Sequence, residues 1–268
     1  AGAQEIADTF QVPHVFESVP EMLDATSPDL LDIITPPETH LAAITAAAER
    51  GVDVICQKPF CSTLEEAQQA TAIANKAGIK LIIHENFRYQ PWHRQLKAML
   101  ARGDLVHETA IHLIDTFRYL MGEMRNVYAD LRRVNPVIAG EDAGVIVFQF
   151  ANGTRGVFDG NRLSDHKAEN RRLTMGEMIV EGSGGVIELS GDGTITRRAH
   201  GSNDVEVIAY DWRDHAFGGD CVYLLQAASI EALMGQRPLE NTGEDYLRNI
   251  EIENAVYQSS TDGRRIDL

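Results

Sequence analysis

Two short apolar runs, each closed by a polar residue and proline, restrict what this chain can fold into. The first is Leu30 to Ile34, followed by Thr35-Pro36-Pro37-Glu38-Thr39-His40. The second is Val52 to Cys56, followed by Gln57-Lys58-Pro59-Phe60. Each leads into a helix-like segment, and a third run, Lys80 to His84, follows the second helix. Strands alternating with helices predict a doubly wound parallel α/β sheet, and uninterrupted apolar strands are those covered on both faces. Ligands of such sheets gather at the carboxyl ends of the strands. Thr35, Pro36, His40, Gln57 and Lys58 are therefore expected at the ligand edge.

Local signals predict where the helices begin and end. Thr35 with Glu38, and Ser62 with Glu65, have the spacing of capping boxes, and Gly51 and Gly78 are suitable stops. Helical turns are expected before Phe10 and over Ser18 to Ala25, with an extended piece at Val12 to Phe16 between them. A further helix is expected from about Trp92 to Ala101.

After about Asn126 the pattern changes. Val145 to Phe150 and Thr154 to Phe158 flank Asn152-Gly153, a pair that favours the positive φ angles of a hairpin turn. A second hairpin is expected across Gly182-Ser183-Gly184-Gly185. Strands at Thr194 to Arg198 and Val205 to Trp212 continue the series, and helices at Val222 to Met234 and Glu244 to Ser259 close the chain. The second half thus predicts an α+β domain with a largely antiparallel sheet, and the domains are expected at residues 1–91 and 92–268.

Composition excludes several functions. With 268 residues and 44% hydrophobic content, the chain can bury two cores. A net charge of −16 disfavours nucleic acid, which needs clustered Lys and Arg. No apolar run approaches the ~20 residues that span a bilayer. The three cysteines, Cys56, Cys61 and Cys221, form no CxxC pair, so free thiols in a reducing, cytoplasmic compartment are expected.

Among candidate chemical groups, Lys58 can donate to a substrate hydroxyl or lose its proton if desolvated; the alternative is a surface lysine. Glu108, His112 and Asp115, spaced by four and three, share one face of an expected helix from Glu108 to Leu120. A histidine one turn from a carboxylate can act as a general base with its tautomer set by that neighbour. The alternatives are the polar face of an amphipathic helix or a metal site, for which the ligand count is short, so no metal is expected. Arg88 can clamp an anion or form a structural ion pair. Gly182 to Gly185 is no phosphate loop, because a strand follows it. Cys61 begins a helix, where a thiolate is favoured, whereas buried lone cysteines are inert.

The chain resembles the Gfo/Idh/MocA oxidoreductases along nearly its whole length. Thr35 to His40 is similar to the TPxxxH strand end, and Gln57-Lys58-Pro59 to the EKP motif with Gln for Glu. Asn86-Phe87-Arg88-Tyr89-Gln90-Pro91 matches NxRxxP. Glu108 to Asp115 (ETAIHLID) resembles DxGxHxxD, with Glu108 at the usual Asp and Ala110 at the usual Gly. Gly243-Glu244-Asp245 through Gly263-Arg264-Arg265 resembles the family's ending.

The resemblance implies a Rossmann domain binding NAD or NADP, then an α+β domain whose open sheet forms homo-oligomers, dimers or tetramers. It implies Lys58 and His112 as the catalytic pair, with Glu108 their carboxylate neighbour and all three at the substrate. Thr35, Pro36, Pro37, His40, Gln57, Lys58 and Arg88 are implied around the cofactor. The implied chemistry is reversible hydride transfer between a sugar, inositol or related polyol hydroxyl and the nicotinamide. A non-redox enzyme using transient oxidation, such as glycoside cleavage, and a non-catalytic ligand sensor are the alternatives. The family's GxGxxG turn and first strand are absent here, and the family has more residues around Leu105-Val106. Further segments before Ala1 and between those two residues are therefore expected.

Overall fold

The computed structural model of the chain describes residues 2–100 and 111–268, which divide into two compact units. The expected boundary after Pro91 differs from this division. Residues 1–84 and 238–247 form the first unit, and residues 85–237 and 248–268 the second.

In the first unit, helices α1 (Gly2–Phe10) and α2 (Val19–Thr26) precede strand β1 (Leu30–Ile33). The segment between the two helices, residues 11–18, pairs into no strand. Ser18 caps α2, its hydroxyl accepting the Glu21 N–H. Helix α3 (His40–Ala48), β2 (Asp53–Cys56), α4 (Leu64–Ala77) and β3 (Leu81–Ile83) follow. The strands pair in parallel in the order β1-β2-β3, with Ile33 opposite Cys56 and Cys56 opposite Ile83. Ile33, Val54, Ile55, Cys56, Ile82 and Ile83 are buried. Both faces of β2 and β3 are thus covered, as their unbroken apolar runs require.

Both capping boxes differ from expectation. Pro36 is extended (φ −61°, ψ 147°) because a residue preceding proline is disfavoured in the helical region. A 3₁₀ turn over Pro37–Thr39 therefore precedes α3, and the Thr35 hydroxyl pairs with that of Thr39 (2.6 Å) instead of capping. The second box is displaced by one residue. Thr63 accepts the Glu66 N–H, and the Glu66 carboxylate accepts the Ser62 N–H.

The second unit contains α5 (Pro91–Leu100), α6 (Ile111–Met121) and β4 (Met124–Arg132), then β5 (Ala143–Phe150) and β6 (Arg155–Asn161). Strands β7 (Met178–Gly182), β8 (Gly185–Leu189), β9 (Ile195–Ala199) and β10 (Glu206–Ile208) follow. The chain closes with α7 (Cys221–Leu233), α8 (Gly243–Asp262), whose first turn falls in the first unit, and β11 (Ile266–Asp267). Two antiparallel four-stranded sheets result, ordered β11-β4-β5-β6 and β10-β9-β8-β7.

Register sorts the first of these sheets into two faces. Val127 lies opposite Phe148, and Ala129 opposite Ile146. These residues are buried in a core with Trp92, Leu96, Phe117, Ile252 and Val256. On the other face, Tyr128 lies opposite Val147 and Val147 opposite Val157. Tyr128 and Val157, with Val145 two residues from Val147, are exposed. One face therefore builds the core, while the other carries Tyr128, Val145 and Val157 among polar residues such as Asp130 and Asp159.

Candidate active site

At the carboxyl edge of the first unit's sheet, the Gln57 N–H donates to the Ile33 carbonyl (2.9 Å), holding the loops after β1 and β2 together. The Gln57 side chain accepts the Lys58 N–H (2.9 Å), and the Lys58–Pro59 peptide is cis. Lys58 is exposed, as are Ile34, Thr35 and Pro36, while Pro37 and Gln57 are half-buried. His40 has a different position from these. It is fully buried, with ring nitrogens 2.7 Å from the Thr35 carbonyl and 2.9 Å from that of Phe60. It braces the two strand-end loops against each other.

Burial disfavours the thiolate form of all three cysteines. Burial pushes the Cys61 thiol up to about 12, with Glu66 adding to it. Burial raises Cys56 further, and raises Cys221 to about 11. For Cys61, loss of solvation outweighs any favour from the nearby helix start.

In the second unit the chain leaves β3 through Glu85 into a 3₁₀ turn, Phe87–Tyr89. This segment meets α6. His112 Nδ1 lies 2.7 Å from Glu85 Oε1, and the Glu85 side chain is only 1% exposed. The Phe87 ring stacks on the imidazole at 4.0 Å, with the planes 14° apart. The expected carboxylate neighbour, Glu108, lies outside the described residues, as does the Leu105–Val106 junction.

Asp115, one turn beyond His112, has other partners. It receives the Arg88 Nε and Nη2 donors at 2.8 and 2.5 Å and the Asn249 amide at 2.8 Å. Asn249 in turn accepts from Arg118, whose guanidinium also pairs with Glu123. Arg88 therefore forms the structural ion pair that was the alternative to an anion clamp. Its fork is occupied by Asp115, and the side chain is 8% exposed. No group of metal-ligating residues occurs among the described residues.

Two features were not anticipated. Glu85 lies 27 residues before His112, beyond any helical periodicity. The only available signal was its place at the carboxyl end of β3. The loop entering α7 brings Phe217 to 6.2 Å from Phe87, and the Asn86 amide donates to Cys221 Sγ. Gly219 there has φ +65°, and a Cβ would come within 2.9 Å of the Pro91 ring, so only glycine fits.

An exposed strand-end platform of aliphatic, hydroxyl and ammonium groups suits a nicotinamide nucleotide, and a His–carboxylate pair suits proton movement at a carbinol. These features define an oxidoreductase with a dinucleotide-binding domain. The profile of the oxidoreductase family with an NAD-binding Rossmann fold matches residues 1–85, and that of the GFO/IDH/MocA C-terminal domain matches residues 64–188. The chain belongs to the Gfo/Idh/MocA family of oxidoreductases.

Among its relatives is a D-apiose dehydrogenase of Paraburkholderia graminis. It is 29% identical over 97% of this chain and 78% of its own length. Solved structures share the fold. An Agrobacterium radiobacter oxidoreductase in complex with NAD⁺, L-tartaric acid and magnesium superposes with a TM-score of 0.85 at 23% identity, covering 99% of this chain and 87% of that one. A levoglucosan dehydrogenase in complex with NADH and levoglucosan gives 0.81 at 20% identity, covering 99% and 86%.

Proposed function

We propose that this chain is an NAD(P)-dependent dehydrogenase that oxidises a sugar or polyol CH–OH group, with its unit of parallel strands holding the cofactor and its second unit the substrate. The observation that carries the reading is the imidazole of His112, held by Glu85 and Phe87 in a chain of this family. A D-apiose dehydrogenase among the relatives favours a monosaccharide or related polyol as substrate.

Thr35, Pro36, Pro37, Gln57 and Lys58 would flank the cofactor, and His40 would keep their two loops in register. Bound there, the oxidised nicotinamide supplies an acceptor for the hydride leaving the carbinol carbon. His112 Nε2 takes the hydroxyl proton, and Lys58 is the candidate donor that stabilises developing negative charge on the substrate. Glu108 remains an additional candidate at the substrate.

Assembly into homo-oligomers through the outer face of Tyr128, Val145 and Val157 fits the same reading, as does a reducing cytoplasm for three free cysteines. No helix among the described residues is long and apolar enough to cross a membrane.

The test is a screen of aldoses and polyols with NAD⁺ and NADP⁺, following reduced nicotinamide. Net reduction with at least one sugar is expected. Lys58→Ala should lower kcat by about 10²–10⁴-fold, far more than it lowers cofactor affinity. No turnover with any sugar, or an unchanged kcat in Lys58→Ala, would overturn the proposal.

A further inference from the structure

We propose that Glu85 is the positioning residue for His112, holding the proton on Nδ1 so that Nε2 presents its lone pair to the substrate. The inference rests on His112 being the base in the proposed reaction.

Three observations point to this role. The first is the 2.7 Å contact of Nδ1 with a carboxylate whose side chain is 1% exposed. A carboxylate only accepts hydrogen bonds, so the nitrogen facing it carries the hydrogen and the other ring nitrogen is left to accept. The second is the Phe87 stack, which fixes the plane of the ring, while the contact with Glu85 fixes its rotation. Phe87 also donates its N–H to the same Glu85 oxygen at 3.4 Å, so one short segment supplies both restraints. The third is that 22% of the His112 side chain stays exposed while Nδ1 and one ring face are covered.

Stability alone would not select this arrangement. Burying a carboxylate against an imidazole costs desolvation that an apolar pair of similar volume avoids. Constraint of one nitrogen, on a ring that stays 22% exposed, is what a proton acceptor needs.

In the reaction the substrate O–H bond breaks and its proton passes to Nε2, while the hydride leaves the carbinol carbon for the nicotinamide and a carbonyl forms. The ring then carries a proton on each nitrogen, and the Glu85 carboxylate balances its positive charge. The reverse direction returns the proton from Nε2 to the forming hydroxyl.

The test combines a spectroscopic and a kinetic measurement. Long-range ¹H–¹⁵N spectra of the protein without cofactor should show neutral His112 protonated on Nδ1, and Glu85→Leu should abolish that signature. In steady-state kinetics, Glu85→Gln should lower kcat by about 10²–10⁴-fold with KM changed by less than about threefold, and Glu85→Asp should recover most of the loss. The near-isosteric Gln variant guards against a folding failure in Leu. Neutral His112 protonated on Nε2 in the wild type, or a Glu85→Gln variant with wild-type kcat, would overturn the proposal. A wild type inactive on every sugar, but with the Nδ1 signature lost in Glu85→Leu, would refute the dehydrogenase reading and uphold the positioning one.

Discussion

Replacing Asp115 by alanine should be among the most damaging single changes in the second unit. Its carboxylate is 1% exposed and receives Arg88 at 2.8 and 2.5 Å and Asn249 at 2.8 Å. Removing it leaves a guanidinium, itself 8% exposed, without its carboxylate. The Tyr119 ring, 5.4 Å from the Arg88 guanidinium carbon, offers a weaker cation–π contact and cannot replace it. Breaking a buried pair from one side costs about 3–5 kcal/mol. At about 2–4 °C per kcal/mol for chains of this size, Tm should fall by about 6–20 °C. Replacing both partners, Arg88→Met with Asp115→Leu, removes both charges together and should recover most of that loss. Calorimetry on the wild type, both single variants and the double variant closes the cycle. An Asp115→Ala protein melting within about 2 °C of wild type, or a double variant no better than that single, would refute the reasoning.

Gly185 has φ +136°, and a Cβ there would overlap the Arg198 carbonyl oxygen, so Gly185→Ala should cost about 1–3 kcal/mol in urea denaturation. Burial, with Glu141 nearby, raises the Glu253 carboxyl to about 7. The folded state then binds more protons than the unfolded chain between the ordinary glutamate value and about 7, so this group's contribution to stability declines as pH rises through that window. Glu253→Gln should remove that decline, raising Tm relative to wild type at pH above about 7 and converging with it in mild acid. A Tm difference independent of pH would contradict this. Replacement of Lys58 and of Glu85, with the outcomes given above, tests the site itself.

What was legible in the sequence follows from local rules. Runs such as Val54 to Cys56 and Leu81 to Ile83 are too uniformly apolar for anything but covered strands, and prolines and glycines punctuate the chain where strands and helices end. Parallel pairing at the carboxyl edge then places Thr35, Gln57 and Lys58 near one another without knowledge of a single contact. Even here, a competing local term displaced the detail. Pro37 kept Pro36 extended, which took the cap away from Thr35.

The partners of the site's charged groups were decided by the tertiary structure alone. Periodicity along α6 groups His112 with Asp115, because helical spacing is the only proximity a sequence displays. In the folded chain, His112 instead meets Glu85 from the end of a strand, and Asp115 meets Arg88 from the turn that follows. Both contacts join residues 27 positions apart, and nothing in the identity of a glutamate or an arginine states which distant group it will face. A buried charge must find an opposite one, but which one it finds is set by how α6 packs against the Glu85–Tyr89 segment.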